Sequence, residues 1–300
     1  MIELGDTVTV SWHWQPILLL LGGVIGLLYV RGWRVERQKG HTIATWRPLT
    51  LILGLVCLFL ALISPLHELA LYYLFARVSQ HILLLAPSPA LLLVGDPWPI
   101  LKAGFPQRGR NWLTVTFGPE TRGRTRLQQL TPVSFIWFGF LAGFSLWYDP
   151  ILHNLARQTP WLRTLELSTI FAAALPYWWV ITRAHPHLHQ LPHFWLRVLY
   201  TAIGAAPLKI LGGLLLFSET TLYLYPTQQI QIMDVSGIRA QQLLAGLVIW
   251  FLGGVTFTSA AFLLMRTWFD SEERKPTLSI ARLSTEERLI APGWEQSRPR

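Results

Sequence analysis

Seven long apolar runs constrain the fold of this chain more than any other feature of its sequence. Hydrophobic residues make up 52% of its 300 residues and charged residues only 14%, a balance too apolar for a water-soluble domain. Each run approaches the roughly 20 residues that cross a bilayer as a helix. The runs cover residues 14–30, 48–63, 71–94, 131–147, 162–182, 194–217 and 241–264. The sequence therefore predicts an all-α integral membrane protein, a bundle of seven transmembrane helices.

Lysine and arginine are distributed unequally between the linkers that join these runs. The first, third and fifth linkers and the C-terminal segment carry most of them, whereas the other side holds only Arg77, Arg157, Arg163 and Arg239. Loops rich in these residues stay in the cytoplasm. We therefore expect a protein of the cell membrane whose N-terminus lies outside the cell and whose C-terminus lies in the cytoplasm. The net charge of +9 then describes loops that face anionic lipid, and we expect no nucleic-acid partner.

Composition changes near residue 270. Residues 1–269 form the predicted seven-helix membrane domain, and residues 270–300 are charged and contain proline, which predicts a partly disordered cytoplasmic tail.

The sequence contains no Ser/His/Asp arrangement, phosphate-binding glycine loop or pair of catalytic carboxylates, so we expect no enzyme. The single cysteine, Cys57, excludes a disulfide within one chain.

The third run carries ionisable residues and two prolines inside an apolar segment. Arg77 and His81 are four residues apart and share one helix face, with Gln80 beside them. Pro87 and Pro89 lack backbone donors and leave two carbonyls open one turn earlier. One interpretation of this juxtaposition is a functional site, and an equal alternative stands beside it. The alternative is that Arg77 reaches the surface, His81 bonds a neighbouring helix and the prolines only bend it.

Three further residues outside that run are candidates for a site. Glu166 lies about one turn inside the fifth run and Lys209 in the outer half of the sixth. Because a charge is costly there unless it is paired, we predict that these two side chains pair across the bundle. His67 follows the second run, where it either joins His81 in binding a metal or is a solvated loop residue.

The fifth linker holds a group of histidines whose role the sequence leaves open. They are His185, His187, His189 and His193. Alternating side chains of an extended segment face the same way, so two interpretations are open here, a divalent metal site and an ordinary loop.

Two amides, Gln241 and Gln242, open the seventh run, and we expect them to cap a helix or bond to neighbours.

Three stretches of the chain carry specific patterns in a fixed order. The first is SPLHELALYYLFARVSQHILLLAPSPALLLVGDP, the second is LWYDPILHNLARQTPWLRTLELSTIFAAALPYWWV, and the third is LGGLLLFSETTLYLYP followed by QQLLAGLVIW. Together they resemble the polytopic-membrane CtaG family of cytochrome c oxidase assembly factors, with its SPLH, AHxxQH, WHxP, HxxEH and DQxxAG patterns. The resemblance covers about residues 67 to 250 and implies the same seven spans.

The resemblance implies an assembly factor for a haem-copper cytochrome c oxidase, with oxidase subunits and the lipid bilayer as its partners. It also implies a part in maturing the copper centres of the oxidase at the outer face. The residues left for a copper site are His67, His81 and Glu166.

This chain departs from the family pattern at several ligand positions. Arg77, Tyr148, Arg163 and Leu167 stand where the family has histidine, and Gln241 stands where it has aspartate, whereas Gln80 and Gln242 are kept. A second hypothesis is therefore a metal-free scaffold in which Arg77, Arg163 and Lys209 recognise carboxylates of a partner or of haem. A third is a small transporter that uses the broken third helix as its site.

Overall fold

The computed structural model describes residues 16–118, 121–186, 194–223, 225 and 237–273, and these residues form fourteen α-helices and no strand. The helices are α1 (Pro16–Gln38), α2 (Trp46–Leu62), α3 (Leu66–Tyr72), α4 (Leu74–Leu85), α5 (Pro87–Val94), α6 (Trp98–Gly104), α7 (Gln107–Phe117), α8 (Arg122–Leu130), α9 (Val133–Ser145), α10 (Pro150–Gln158), α11 (Pro160–Thr182), α12 (Phe194–Phe217), α13 (Ile238–Val248) and α14 (Gly254–Glu273). A 3₁₀ turn (Leu146–Tyr148) extends α9, and a π-helical turn (Ile249–Gly253) joins α13 to α14. The predicted tail beyond residue 273 lies outside the described residues.

The described helices are long and apolar enough for five to seven membrane spans. Five continuous segments qualify: Pro16–Gln38, Leu74–Val94, Pro160–Thr182, Phe194–Phe217 and Ile238–Asp270. Two bent pairs add one span each if each pair crosses once: α2 with α3, bent by 41°, and α9 with α10, bent by 74°. The chain is thus an all-helical, multi-pass membrane protein. The number seven and the orientation of the termini stay predictions.

The sharpest bend has a local chemical cause. Asp149 accepts hydrogen bonds through Oδ1 from the backbone N–H groups of Ile151 and Leu152, at 3.0 and 3.1 Å, and Pro150 is the first residue of α10. An aspartate at the N-cap followed by proline is a strong helix start. Asp149 and Pro150 therefore begin the short helix α10.

The break between α4 and α5 lies at Ala86, directly before Pro87. Proline cannot donate a backbone hydrogen bond, so the bond from residue 87 to the Leu83 carbonyl is missing and α4 ends at Leu85. The indole Nε1 of Trp178 on α11 donates to the carbonyl oxygen of Leu85 at 2.8 Å. One of the two carbonyls predicted to be open is therefore occupied by this chain itself, which removes support for an ion-binding broken helix.

Helix α4 lies at the centre of the bundle and contacts α2, α3, α11 and α13. Large side chains fill the core beside it, and the rings of Phe140 and Tyr177 stack with their centroids 3.8 Å apart. Nine of the twelve residues of α4 are buried, including Arg77, Gln80 and His81. This central position explains why Arg77 and His81 cannot reach the lipid or the surface.

Candidate functional site

One end of the bundle encloses a group of buried polar side chains, here called the polar cluster. The ends of α2 and α12, the start of α11, and the short helices α3 and α10 meet at this end. Its members are His67, Arg77, Gln80, His81, Tyr148, His153, Arg163, Glu166, Tyr223 and Tyr225, each less than a tenth exposed. So many polar groups are retained in a membrane protein core only when they satisfy one another.

The centre of the polar cluster is an ion pair between α4 and α11. Nη2 of Arg77 lies 2.6 Å from Oε1 and 2.7 Å from Oε2 of Glu166. Nε2 of His81 lies 3.2 Å from the same Oε1, without the alignment of a hydrogen bond. A buried carboxylate is stable only when its charge is compensated, and here the guanidinium compensates both oxygens.

Hydrogen bonds extend from His81 toward the chain after α12. Nδ1 of His81 and the hydroxyl of Tyr148 are 3.2 Å apart. The hydroxyl of Tyr223 donates to the backbone carbonyl of Tyr148 at 2.6 Å. These contacts connect the 3₁₀ turn after α9 to α4 through His81, and to the loop after α12 through Tyr223.

A second branch leads from Arg77 to α10. The guanidinium of Arg77 interacts with the side chain of Tyr225, and the Tyr225 hydroxyl lies 2.8 Å from Nε2 of His153. Nδ1 of His153 is 3.2 Å from the carbonyl of Trp147. A carbonyl only accepts, so Nδ1 carries the proton and Nε2 accepts from Tyr225.

The two loop tyrosines stay protonated under physiological conditions. Burial is the main cause that raises the pKa of Tyr223 and of Tyr225 to about 12. Sequence reasoning missed their role and that of His153. The available signal was the pair of tyrosines in the LYLYP segment, which is separated by four residues from the preceding apolar span.

Gln80 and Arg163 hold α3 against the bundle. Nε2 of Gln80 donates to the carbonyl of Ala61 at 2.6 Å and lies 3.0 Å from Nδ1 of His67. Nη2 of Arg163 donates to the backbone carbonyl of His67. The alternative that His67 is a solvated loop residue is wrong, since only 7% of it is exposed.

The two amides at the start of α13 bond to neighbouring segments. Oε1 of Gln241 accepts from the backbone N–H of Leu74, the first residue of α4, at 3.1 Å. Gln242 accepts from the N–H of Leu222 at 3.0 Å and donates to the carbonyl of Thr220 at 3.2 Å. This confirms the expectation that the two amides bond to neighbours, and the bonds of Gln242 fix the loop that carries the cluster tyrosines.

A family model described as cytochrome c oxidase caa3 assembly factor (Caa3_CtaG) matches residues 27–271 of this chain. The chain belongs to this family. The match covers most of the protein and confirms the resemblance inferred from the three sequence stretches. No curated protein and no solved structure matches the chain.

The metal ligands expected for this Caa3_CtaG family member, His67, His81 and Glu166, do not form one site. Within residues 16–273, leaving out the undescribed stretches, no three His, Cys, Asp or Glu side chains are placed to hold a metal ion. His81 and Glu166 are adjacent, but Arg77 uses both oxygens of the carboxylate. A fixed cation at that distance also repels a metal ion. The residues present therefore do not fit copper in this arrangement.

The predicted ion pair between Glu166 and Lys209 is wrong. Glu166 pairs with Arg77, whereas Nζ of Lys209 donates to the backbone carbonyl of Trp250 at 3.1 Å. The reason is geometric, because Arg77 on the adjacent central helix α4 reaches Glu166 directly. Periodicity along one helix does not show which helix lies opposite.

The histidine-rich linker is described only at its start. Nδ1 of His185 lies 2.7 Å from Oδ2 of Asp96, and the backbone N–H of His185 donates to Oδ1 at 2.8 Å. These contacts join the segment after α11 to the segment after α5. His187, His189 and His193 lie outside the described residues, so a metal site in this linker stays a prediction.

Proposed function

We propose that this chain assists the assembly of a haem-copper cytochrome c oxidase as a membrane scaffold whose helix bundle carries no copper. The observation that carries the proposal is the ion pair of Arg77 with both oxygens of Glu166. A metal needs ligand groups with available lone pairs, and here Arg77 engages one lone pair on each carboxylate oxygen and compensates its negative charge. Membership of the Caa3_CtaG family supports the role in oxidase assembly.

The proposal includes partners, location and the absence of catalysis. Oxidase subunits in the cell membrane are the proposed partners, and the polar cluster faces the outside if the distribution of Lys and Arg sets the orientation. The cluster contains no activated nucleophile, because Tyr223 and Tyr225 are protonated and hydrogen-bonded. It is suited to holding the loop after α12 in one conformation, which is a scaffolding property.

Two of the three basic residues considered for recognition of haem propionates or partner carboxylates are buried within the polar cluster, whereas Lys209 is partly exposed. Arg77 binds Glu166, and Arg163 binds the carbonyl of His67. The proposal therefore assigns both arginines a structural role in the polar cluster, and it leaves Lys209 for contact with partners.

A second candidate function is the delivery of copper as cargo to the oxidase. The observation that favours it is Nε2 of His81, which is buried, has no hydrogen-bond partner and lies 3.2 Å from Glu166. Under this candidate, His67, His81 and Glu166 would supply the ligands when the metal is loaded.

The copper content of the purified full-length protein separates the two candidates. We expect no stoichiometric copper in the wild type after loading, and the same low content in a His67→Ala/His81→Ala variant. Near-stoichiometric copper that disappears in this variant would refute the scaffold proposal and support the delivery of copper.

The role in oxidase assembly is tested by deleting the gene, which we expect to lower the amount of assembled oxidase and its activity. Unchanged oxidase without any other copy present would refute it.

A further inference from the structure

Lys209 is a cation inside a membrane-spanning helix, far from either end. It lies eight residues before the end of α12 at Phe217, about 12 Å along the helix axis. Its ammonium donates to the carbonyl of Trp250 and lies 5.2 Å from the centroid of that indole ring. Trp250 in turn donates through Nε1 to the carbonyl of Lys209 at 3.3 Å. The side chain is thus held in place at this depth.

The protein provides space for this arrangement. A Cβ atom at Gly254 would lie 2.7 Å from Nζ of Lys209, and one at Gly212 would lie 2.3 Å from Cδ1 of Trp250. The Trp250 carbonyl that accepts from Lys209 belongs to the π-helical turn between α13 and α14, a distortion that is frequent at functional sites. Two glycines and an irregular turn therefore accommodate the contact between Lys209 and Trp250.

Lys209 has no carboxylate partner among the described residues. The described ion pairs of the spanning helices leave it out, and Glu166 is taken by Arg77. Within the five continuous candidate spans, Glu166 is the one acidic side chain more than a turn from either end. An ammonium group in the hydrocarbon region without a counter-charge is costly, and such residues usually mark a functional contact.

The face of α12 around Lys209 is lined by small residues and is open. Ala202 and Ala206 are exposed, and a Cβ atom added at Gly213 would meet nothing within 4 Å. Residues at these spacings lie on one side of a helix. Small side chains let a second helix approach closely in a membrane, and Lys209 lies in the middle of this stripe.

We propose that Ala202, Ala206, Lys209 and Gly213 form a docking surface for a transmembrane helix of another protein, one that carries an aspartate or glutamate at the depth of Lys209. The carboxylate supplies the missing counter-charge, and the small residues allow the close approach that a short ion pair needs. In the proposed assembly role, which this inference extends, the helix belongs to an oxidase subunit.

A second copy of this chain does not fit the surface. A symmetric contact through α12 would bring two Lys209 ammonium groups together, and Glu166, at 0% exposure, is not available to either. A lipid head group is also a poor fit, since Lys209 is directed to the Trp250 carbonyl about 12 Å from the helix end.

The test uses a photo-crosslinking amino acid at Ile210, which is 65% exposed beside Lys209, in the full-length protein in its native membrane. We expect capture of a transmembrane segment of an oxidase subunit, at least about tenfold lower for Lys209→Met and retained for Lys209→Arg. Lys102→Met is the matched control and should leave capture unchanged. Replacing the carboxylate of the captured segment by lysine should restore capture by Lys209→Glu.

A second variant keeps the proposal testable if Lys209→Met fails to fold. Ala206→Leu leaves Lys209 intact, fills the stripe at an exposed position and should also lower capture. Unchanged capture by Ala206→Leu or by a folded Lys209→Met would overturn the inference, as would capture of a second copy or of lipid alone.

Failure of this inference is distinguishable from failure of the assembly role. If gene deletion lowers oxidase assembly while Lys209→Met and Ala206→Leu restore it fully and crosslink normally, the docking surface is refuted and the assembly role stands. If deletion leaves the oxidase intact but capture of an acidic transmembrane segment still depends on Lys209, the docking surface stands with a different partner.

Discussion

The buried pair of Arg77 and Glu166 determines the chemistry of the polar cluster. Arg77 is 2% exposed and Glu166 is 0% exposed, so neither charge is stabilised by water. Such a pair adds little net stability compared with apolar residues, but it is strongly destabilising when one partner is missing. Correct packing of α4 against α11 therefore requires both members of the pair.

Removing one charge of this pair is the most direct test of that statement. We expect Glu166→Gln to destabilise the protein by about 3–5 kcal/mol, because it leaves Arg77 buried without a counter-charge. The double variant Arg77→Met/Glu166→Leu should recover much of the loss. Thermal unfolding in detergent, followed by fluorescence size-exclusion chromatography, measures both. Equal losses in the single and double variants would contradict the pair as the cause.

The tyrosines of the cluster predict a loss of stability in alkali. The pKa of Tyr223 and of Tyr225 is raised to about 12 in the folded protein, against an ordinary value near 10. Their stabilising contribution is therefore complete below about pH 10 and is lost as the pH rises toward 12. The unfolding temperature should fall less steeply over this range in Tyr223→Phe/Tyr225→Phe than in the wild type. Parallel curves would exclude these two groups.

Helices α1 and α6 are joined by a close crossing of two glycines. A Cβ atom at Gly32 would lie 1.8 Å from the carbonyl oxygen of Ile100, and one at Gly104 would lie 2.0 Å from that of Leu28. Backbone atoms cannot yield as a flexible side chain can, so any larger residue forces the helices apart. The N-terminal half of α1 makes no comparable contact at Gly22 or Gly23.

This difference gives a matched pair of glycine variants. Gly32→Ala should detach α1 from α6, lower the yield of monodisperse protein and increase protease cleavage between α1 and α2. Gly22→Ala should leave both unchanged or improve them slightly, because alanine favours helix by about 1 kcal/mol and meets open space. Equal behaviour of the two variants would show that the crossing does not hold α1.

The break between α4 and α5 leaves the Leu85 carbonyl open, and one indole, that of Trp178, satisfies it. Trp178→Phe removes the donor to the Leu85 carbonyl and should cost about 1–3 kcal/mol, since that carbonyl is then buried without a partner. Trp147→Phe is the control, because Trp147 is also buried but donates to the hydroxyl of Thr169. That hydroxyl keeps its own hydrogen bonds. An equal loss of stability in both variants would indicate lost packing and not the carbonyl.

The topology of the whole molecule is testable by cysteine labelling. In a Cys57→Ser background, Glu219→Cys should react with a membrane-impermeant maleimide in intact cells, whereas His41→Cys and Gln107→Cys should react only after permeabilisation. Ile151→Cys on α10, at 77% exposure, reports whether the α9–α10 pair ends outside. Labelling of His41→Cys and Gln107→Cys on opposite sides would contradict two spans between them, and reversed labelling would contradict the orientation.

The sequence by itself determined the class of fold and the family. Apolar runs of bilayer length admit only helices in a single chain of this composition, because every backbone polar group must bond within its own segment. The starts and breaks of helices at Asp149 and Pro87 also follow from local chemistry that needs no tertiary information. The three motif stretches were enough to identify the assembly-factor family.

Tertiary structure alone decided which polar groups meet. Sequence periodicity indicated that Arg77, Glu166 and Lys209 needed partners, but it could not choose among them, since pairing depends on which helices are neighbours. The central position of α4 gave Glu166 to Arg77, and the loop after α12 brought Tyr225 to the same guanidinium. A pairwise charge interaction falls off with distance in space, not along the chain, so only the folded bundle sets its partners.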